Sequence, residues 1–158
     1  MDSYSIISND RSILGESPVW DEKLQRIYWV DIEGKCLHAW SYIENKKIIW
    51  NFDRRLCAIS LTNQNNILLC AFDTFFSFFD INKHIIKKLD KQVALHSKVR
   101  FNDGKTDGYG RFWCGTMSES NPSKPDGALY MIDNKLEIHE IVRGIHISNS
   151  ITTSLENS

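Results

Sequence analysis

The stretch Trp20-Asp21-Glu22-Lys23-Leu24-Gln25-Arg26-Ile27-Tyr28-Trp29 sets the pattern of the chain, because an apolar strand end passes through a polar turn into an aromatic strand. The same layout returns at Leu61-Thr62 followed by Asn66-Ile67-Leu68-Leu69-Cys70, and at Asp107-Gly108 followed by Arg111-Phe112-Trp113-Cys114. These copies are about 40 to 46 residues apart, which is the period of a β-propeller blade. The pattern therefore predicts one four-stranded sheet in each interval.

Short apolar runs fill the rest of the chain, and they are rich in the β-branched and aromatic residues that favour strands. They occupy residues 26–31, 47–52, 57–61, 67–72, 75–79, 111–115 and 128–132. Turn residues separate them, at Glu33-Gly34, 63–66, Asp103-Gly104, 108–110 and 125–127. Residues 90–99 fit either a loop or a turn of helix, and no long stretch has a helical period. The prediction is an all-β chain.

The repeats predict a single partial β-propeller domain over residues 1–158. About three four-stranded blades fit, and residues 151–157 resemble the first strand of a fourth blade. A propeller has at least about four blades, so we expect a truncated ring with unpaired blade edges. A smaller fold that closes within the 158 residues is the alternative.

Composition narrows the classes of function. The chain has 19 basic and 20 acidic side chains and a net charge of −1, so we expect neither a nucleic-acid nor a membrane partner. The first residues are polar and no apolar run could span a bilayer, which favours a cytoplasmic location. The four cysteines form no C-x-x-C pair, and we expect them to be reduced thiols.

Three polar clusters interrupt the strand pattern at similar places in the repeat. Glu16 lies just before the first repeat, Arg100 and Asn102 before the third, and Asn149 before residues 151–157. Groups at the same blade position converge at one end of a propeller's central channel. The alternative for each is ordinary: a solvated loop glutamate, a hairpin with a structural arginine, and an asparagine that caps a turn.

At these clusters the sequence resembles the N-terminal half of the senescence marker protein/regucalcin/gluconolactonase family. The matching stretches are Leu14-Gly15-Glu16-Ser17-Pro18-Val19-Trp20-Asp21, Tyr28-Trp29-Val30-Asp31-Ile32, Arg100-Phe101-Asn102-Asp103-Gly104-Lys105, Gly110-Arg111-Phe112-Trp113-Cys114-Gly115-Thr116-Met117, Gly127-Ala128-Leu129-Tyr130 and Ile147-Ser148-Asn149-Ser150-Ile151. They follow the family's order over almost the whole chain.

The resemblance implies a six-bladed propeller that holds one divalent cation, most often Ca²⁺, with Zn²⁺, Mn²⁺ and Mg²⁺ as alternatives. It implies that Glu16 and Asn149 are metal ligands and that Arg100 and Asn102 contact the substrate. Ser120 aligns with a carboxylate that touches the sugar in some animal members. Ser150 and Thr153 also depart from the family pattern. The family's remaining ligand, an Asp that doubles as acid/base, is expected beyond the chain end, so no catalytic residue is assigned.

The implied activity of the complete protein is metal-dependent hydrolysis of sugar lactones. We expect the 158-residue chain to be inactive alone or to depend on a partner. One alternative is a non-catalytic half-propeller that self-associates through its exposed blade edges, and another is a decayed gene product without function.

Overall fold

The computed structural model describes residues 6–154, and this part of the chain forms twelve β-strands. The strands are β1 (Gly15–Asp21), β2 (Arg26–Asp31), β3 (Cys36–Ser41), β4 (Lys46–Asn51), β5 (Leu56–Leu61), β6 (Ile67–Phe72), β7 (Phe76–Asp80), β8 (Ile85–Lys88), β9 (Val99–Thr106), β10 (Phe112–Ser118), β11 (Gly127–Ile132) and β12 (Ile138–Ile145). They confirm the all-β prediction. Among the described residues there is no helix that could cross a membrane.

The twelve strands form three antiparallel four-stranded sheets, each a simple up-and-down meander. The orders are β1-β2-β3-β4, β5-β6-β7-β8 and β9-β10-β11-β12. We call β1, β5 and β9 the inner strands, because β5 contacts both β1 and β9, and β1 also contacts β9. The repeat predicted from the sequence is therefore confirmed as three sheets whose first strands meet.

Aromatic side chains fill the space between neighbouring sheets. Phe79 of the second sheet packs edge-on against Trp50 of the first, with ring centroids 6.4 Å apart. Phe76 lies against Phe101 of the third sheet, with centroids 4.2 Å apart. The aromatic run at 75–79 thus packs against both neighbouring sheets. The four cysteines are all free and buried, and burial raises the pKa of the Cys57 thiol to about 12.

One predicted turn is wrong. Asp103 and Gly104 lie inside β9, where Gly104 pairs with Cys114 of β10. The glycine is needed for space rather than for a turn, because a Cβ at this position would lie 2.7 Å from the ring of Phe112. Residues 90–98 are a loop, which is one of the two structures expected there.

The predicted first strand of a fourth blade is not formed in the described residues. Residues 151–154 belong to no strand, and 155–157 lie outside the described part of the chain. A strand is defined by hydrogen bonds to a neighbour. In residues 6–154 no fourth sheet offers 151–154 a partner.

Candidate metal and substrate site

In each inner strand, one extra residue interrupts the regular pairing with the neighbouring strand of its sheet. In β1 this irregularity lies between Glu16 and Val19, and in β5 between Leu56 and Ala58. In β9 it lies between Phe101 and Gly104, opposite Thr116 and Cys114 of β10. Such bulges re-aim side chains and are common beside functional sites. Two of the three predicted clusters therefore coincide with bulges.

All three inner strands border a cavity of about 530 Å³, which is lined by residues 16–20, 59–61 and 103–106 together with 149–151. Glu16 and Asn149 both line it, although they are far apart in the sequence. Ser17 and Ser150, the residues that follow them, share a left-handed backbone conformation with φ of 53° and 54°. The structure thus brings the two expected metal ligands to one cavity in similar local settings.

The oxygen atoms of these two side chains are largely uncommitted. Glu16 is half-buried, and within residues 6–154 its carboxylate forms no hydrogen bond or ion pair. Asn149 is exposed, and the hydrogen bond that its Oδ1 accepts within the described residues comes from the adjacent backbone N–H of Ser150 at 3.2 Å. The capping role considered for Asn149 is present, but it leaves the amide free to take another partner.

Asp103 is a cavity residue that the sequence interpretation missed. Its Oδ1 accepts the N–H of Gly104 at 2.9 Å, and its Oδ2 accepts the N–H of Ile151 at 3.3 Å. Glu16 and Asp103 are the acidic residues that line the cavity, and Lys105 is the one basic residue there. The Asp-Gly dipeptide suggested a turn, whereas the bulge in β9 turns the carboxylate toward the cavity.

Arg100 and Asn102 contact one another rather than the cavity lining. Arg100 is only 6% exposed, and its Nη1 donates 2.8 Å hydrogen bonds to the Asn102 Oδ1 and to the Phe101 carbonyl. The Asn102 Nδ2 in turn donates to the Ser148 carbonyl at 2.9 Å. Asn102 therefore connects β9 to the segment that carries Asn149, and Arg100 holds the Asn102 side chain in place.

A second acidic group, which the sequence did not indicate as part of the site, lies beside Arg100. Glu119 accepts a hydrogen bond from Arg55, and its Oε1 is 3.7 Å from the Arg100 Nε. The hydrogen bond from Arg55 lowers the pKa of Glu119. Ser120 is exposed, and its hydroxyl lies 3.3 Å from that of Ser118. The carboxylate at this end of β10 thus belongs to Glu119 and points to two arginines.

A separate cluster of possible metal ligands lies in the first sheet. The ligand atoms of Asp31, Cys36 and His38 are within 4.8 Å of one another. However, the Asp31 carboxylate accepts backbone N–H groups from Ile13, Leu14 and Gly34, and the Nδ1 of His38 has no partner in the part of the chain that the structure describes. A metal-bound histidine nearly always donates its second ring N–H. These contacts favour a structural role for the cluster.

Three four-stranded sheets joined through their first strands, with oxygen-bearing side chains around the cavity between them, define a protein of the β-propeller class. The sequence pattern of the SMP-30/Gluconolactonase/LRE-like region matches residues 14–158, and the chain belongs to this family. It is 35% identical to regucalcin from Danio rerio over 155 residues, which is 96% of this chain and 51% of the relative. It is 29% identical to L-arabinolactonase from Azospirillum brasilense over 156 residues, or 98% of this chain and 52% of the relative.

Solved structures agree on the fold. Regucalcin from Agrobacterium tumefaciens superposes with a TM-score of 0.79 at 21% identity, over 90% of this chain and 47% of that one. A luciferin-regenerating enzyme gives a TM-score of 0.77 at 24% identity, over 85% of this chain and 47% of that one. The chain spans about half the length of the curated relatives it matches.

Proposed function

We propose that the whole protein is a divalent-metal-dependent lactonase that opens sugar lactones, and that Glu16 and Asn149 are two of its metal ligands. The observation that carries the proposal is the Glu16 carboxylate, which has no partner among residues 6–154 and lies in a cavity that Asn149 also lines. The names of relatives support the substrate class: besides L-arabinolactonase, a 6-deoxy-6-sulfogluconolactonase from Pseudomonas putida is 27% identical over 143 residues.

The donor atoms at the cavity fit a hard cation. Carboxylate and amide oxygens suit Ca²⁺ or Mg²⁺, whereas the thiol and imidazole groups preferred by softer metals do not line this cavity. The Agrobacterium structure is described as a calcium-binding protein, which favours Ca²⁺. Because Ca²⁺ takes about 6–8 oxygen ligands, two side chains supply only part of its coordination. We therefore expect the 158-residue chain to bind Ca²⁺ weakly.

The residues of this chain would bind and orient the lactone. When bound, the cation would polarise the lactone carbonyl as a Lewis acid. Asn102 would position the ring, Arg100 would hold Asn102 through their hydrogen bond, and Ser120, which does not line the cavity, would form the outer rim of the site. A serine hydroxyl accepts and donates hydrogen bonds without a charge, so this rim would discriminate among sugar hydroxyls less strongly than a carboxylate would. We place the general base outside the 158 residues.

Replacing Glu16 by Gln should weaken Ca²⁺ binding at least about tenfold, because the substitution removes the uncommitted charged ligand. Isothermal titration calorimetry with CaCl₂ measures this directly. Glu137→Gln is the matched control, because Glu137 is a half-buried glutamate of the β11–β12 turn that pairs with Lys91 outside the cavity. Equal losses in the two variants, or none in Glu16→Gln, would contradict the ligand assignment.

The chain alone should hydrolyse no sugar lactone above the background rate. A pH-stat assay with L-arabinono-1,4-lactone and excess Ca²⁺ tests this. Turnover that EDTA and Glu16→Ala both abolish would show that the general base lies within these residues.

A self-associating half-propeller is the second candidate, favoured by apolar side chains on an outer strand. Ile141 and Val142 of β12 are 47% and 46% exposed, and β12 is the last strand of its sheet. Unpaired edge strands promote pairing between chains. Light scattering would decide, since this candidate requires a dimer and a monomer excludes it.

A further inference from the structure

We infer that Asp103 is a positioning residue for Asn149: its carboxylate holds the segment of residues 148–151, so that the Asn149 amide already faces the cavity before a cation binds. The inference rests on the proposed function, since it concerns a proposed metal ligand.

Asn149 is bracketed by two hydrogen bonds from consecutive residues of β9. Asn102 donates to the carbonyl of Ser148, one residue before Asn149, and Asp103 accepts from the N–H of Ile151, two residues after it. Consecutive side chains of a regular strand point to opposite faces. The bulge between Phe101 and Gly104 removes this alternation, so both side chains reach the same segment.

Strand β10 also supports the residues that precede Asn149. Ile147 forms a bridge with Met117, and Ser148 is only 7% exposed. A Cβ at Gly115 would lie 1.9 Å from the Ser148 Oγ, so the absence of a side chain there makes room for Ser148. These contacts fix the chain up to Ser148 but not beyond it.

On the C-terminal side of Asn149, the Asp103 carboxylate anchors the backbone. Within residues 6–154, the Ile151 N–H has the Asp103 Oδ2 as its hydrogen-bond acceptor. The carboxylate is itself oriented, because its Oδ1 accepts the N–H of Gly104. Without Asp103, the residues around Asn149 would have to be ordered when the cation binds, and that entropy would be subtracted from the binding free energy.

The test combines Ca²⁺ calorimetry with amide hydrogen exchange of Ile151, followed by NMR on the ¹⁵N-labelled 158-residue chain. Asp103→Ala should lower Ca²⁺ affinity about tenfold, the effect typical of residues that orient metal ligands. The Ile151 amide should exchange faster in the absence of Ca²⁺. Asp103→Asn keeps an oxygen that can accept the Ile151 N–H, so it should restore protection and part of the affinity.

Asp133→Ala is the matched control. The Asp133 carboxylate also holds a backbone segment of the third sheet, by accepting the N–H groups of Lys135 and Glu137 outside the cavity. Its loss should leave Ca²⁺ affinity and the exchange of Ile151 unchanged. Circular dichroism establishes that each variant is folded.

The remaining outcomes separate the inference from the proposed function. Unchanged affinity in Asp103→Ala, with reduced affinity in Glu16→Gln, would overturn the inference alone. If Asp103→Asn binds as weakly as Asp103→Ala while Ile151 stays protected, the charge of Asp103 matters and its positioning role is wrong. A wild-type chain that binds no Ca²⁺ at millimolar concentration would overturn both.

Discussion

Phe76→Ala lowers the free energy of unfolding by about 3–5 kcal/mol, the range for removing a fully buried phenylalanine ring. Phe76 is completely buried, and its ring belongs to the contact between the second and third sheets. Its centroid is 4.2 Å from that of Phe101 and 6.3 Å from that of Phe112. The substitution removes buried apolar area and leaves a cavity that strands on both sides hold open.

Urea denaturation followed by tryptophan fluorescence measures this loss. Ile85→Ala is the control, because Ile85 lies on β8 of the same sheet but is 55% exposed, and its truncation should change stability by less than about 0.5 kcal/mol. A loss below about 1.5 kcal/mol in Phe76→Ala would mean that the two sheets do not pack through this ring. Phe101, which packs against Phe76, lies between Arg100 and Asn102 in the sequence. The same variant should therefore also make these two residues more mobile.

The two strands whose bounds the sequence predicted are rich in buried side chains. Residues 26–31 and 67–72 were predicted with the bounds that the structure shows, because aromatic and branched side chains fill positions that are buried. β8 and β12 lacked such a signal. Every residue of β8 is exposed, and six of the eight residues of β12 are exposed. Their pairing depends on backbone hydrogen bonds to β7 and β11, which composition does not encode.

The residues of the candidate site also fall into those that the sequence could predict and those that it could not. Glu16 and Asn149 could be proposed because their place in the repeat predicts that they converge, and they line one cavity. Asp103 could not, because an Asp-Gly pair in a bulged strand looks the same in sequence as one in a turn. The pairing of Arg55 with Glu119 joins residues of different sheets, so no local spacing indicates it.

Asp107→Ala is expected to destabilise the fold by about 3 kcal/mol, because it removes a buried carboxylate that four donors share. One oxygen accepts the N–H groups of Tyr109 and Arg111. The other accepts the Arg111 Nε at 2.6 Å and the Trp113 Nε1 at 2.8 Å. The carboxylate therefore closes the β9–β10 hairpin, and its side chain is only 2% exposed. The partly exposed Arg111 can regain water, which keeps the loss at the lower end of the range for buried ion pairs.

The pH dependence of this loss distinguishes the charged hydrogen bonds from simple packing. Burial acts to raise the pKa of Asp107, but the hydrogen bonds from Trp113, Arg111 and Tyr109 outweigh it and lower the pKa from 3.8 to about 2. A group whose pKa is lower in the folded state than in the unfolded state contributes its full stabilisation above the unfolded pKa. That contribution is lost as the pH falls through the folded pKa.

The stability difference between wild type and Asp107→Ala should therefore be constant above about pH 5 and shrink by about 2 kcal/mol toward pH 2. Urea unfolding at several pH values measures it, with Asp126→Ala as an exposed control. A stability difference for Asp107→Ala that does not change with pH would mean that its carboxylate is not held in charged form by these donors.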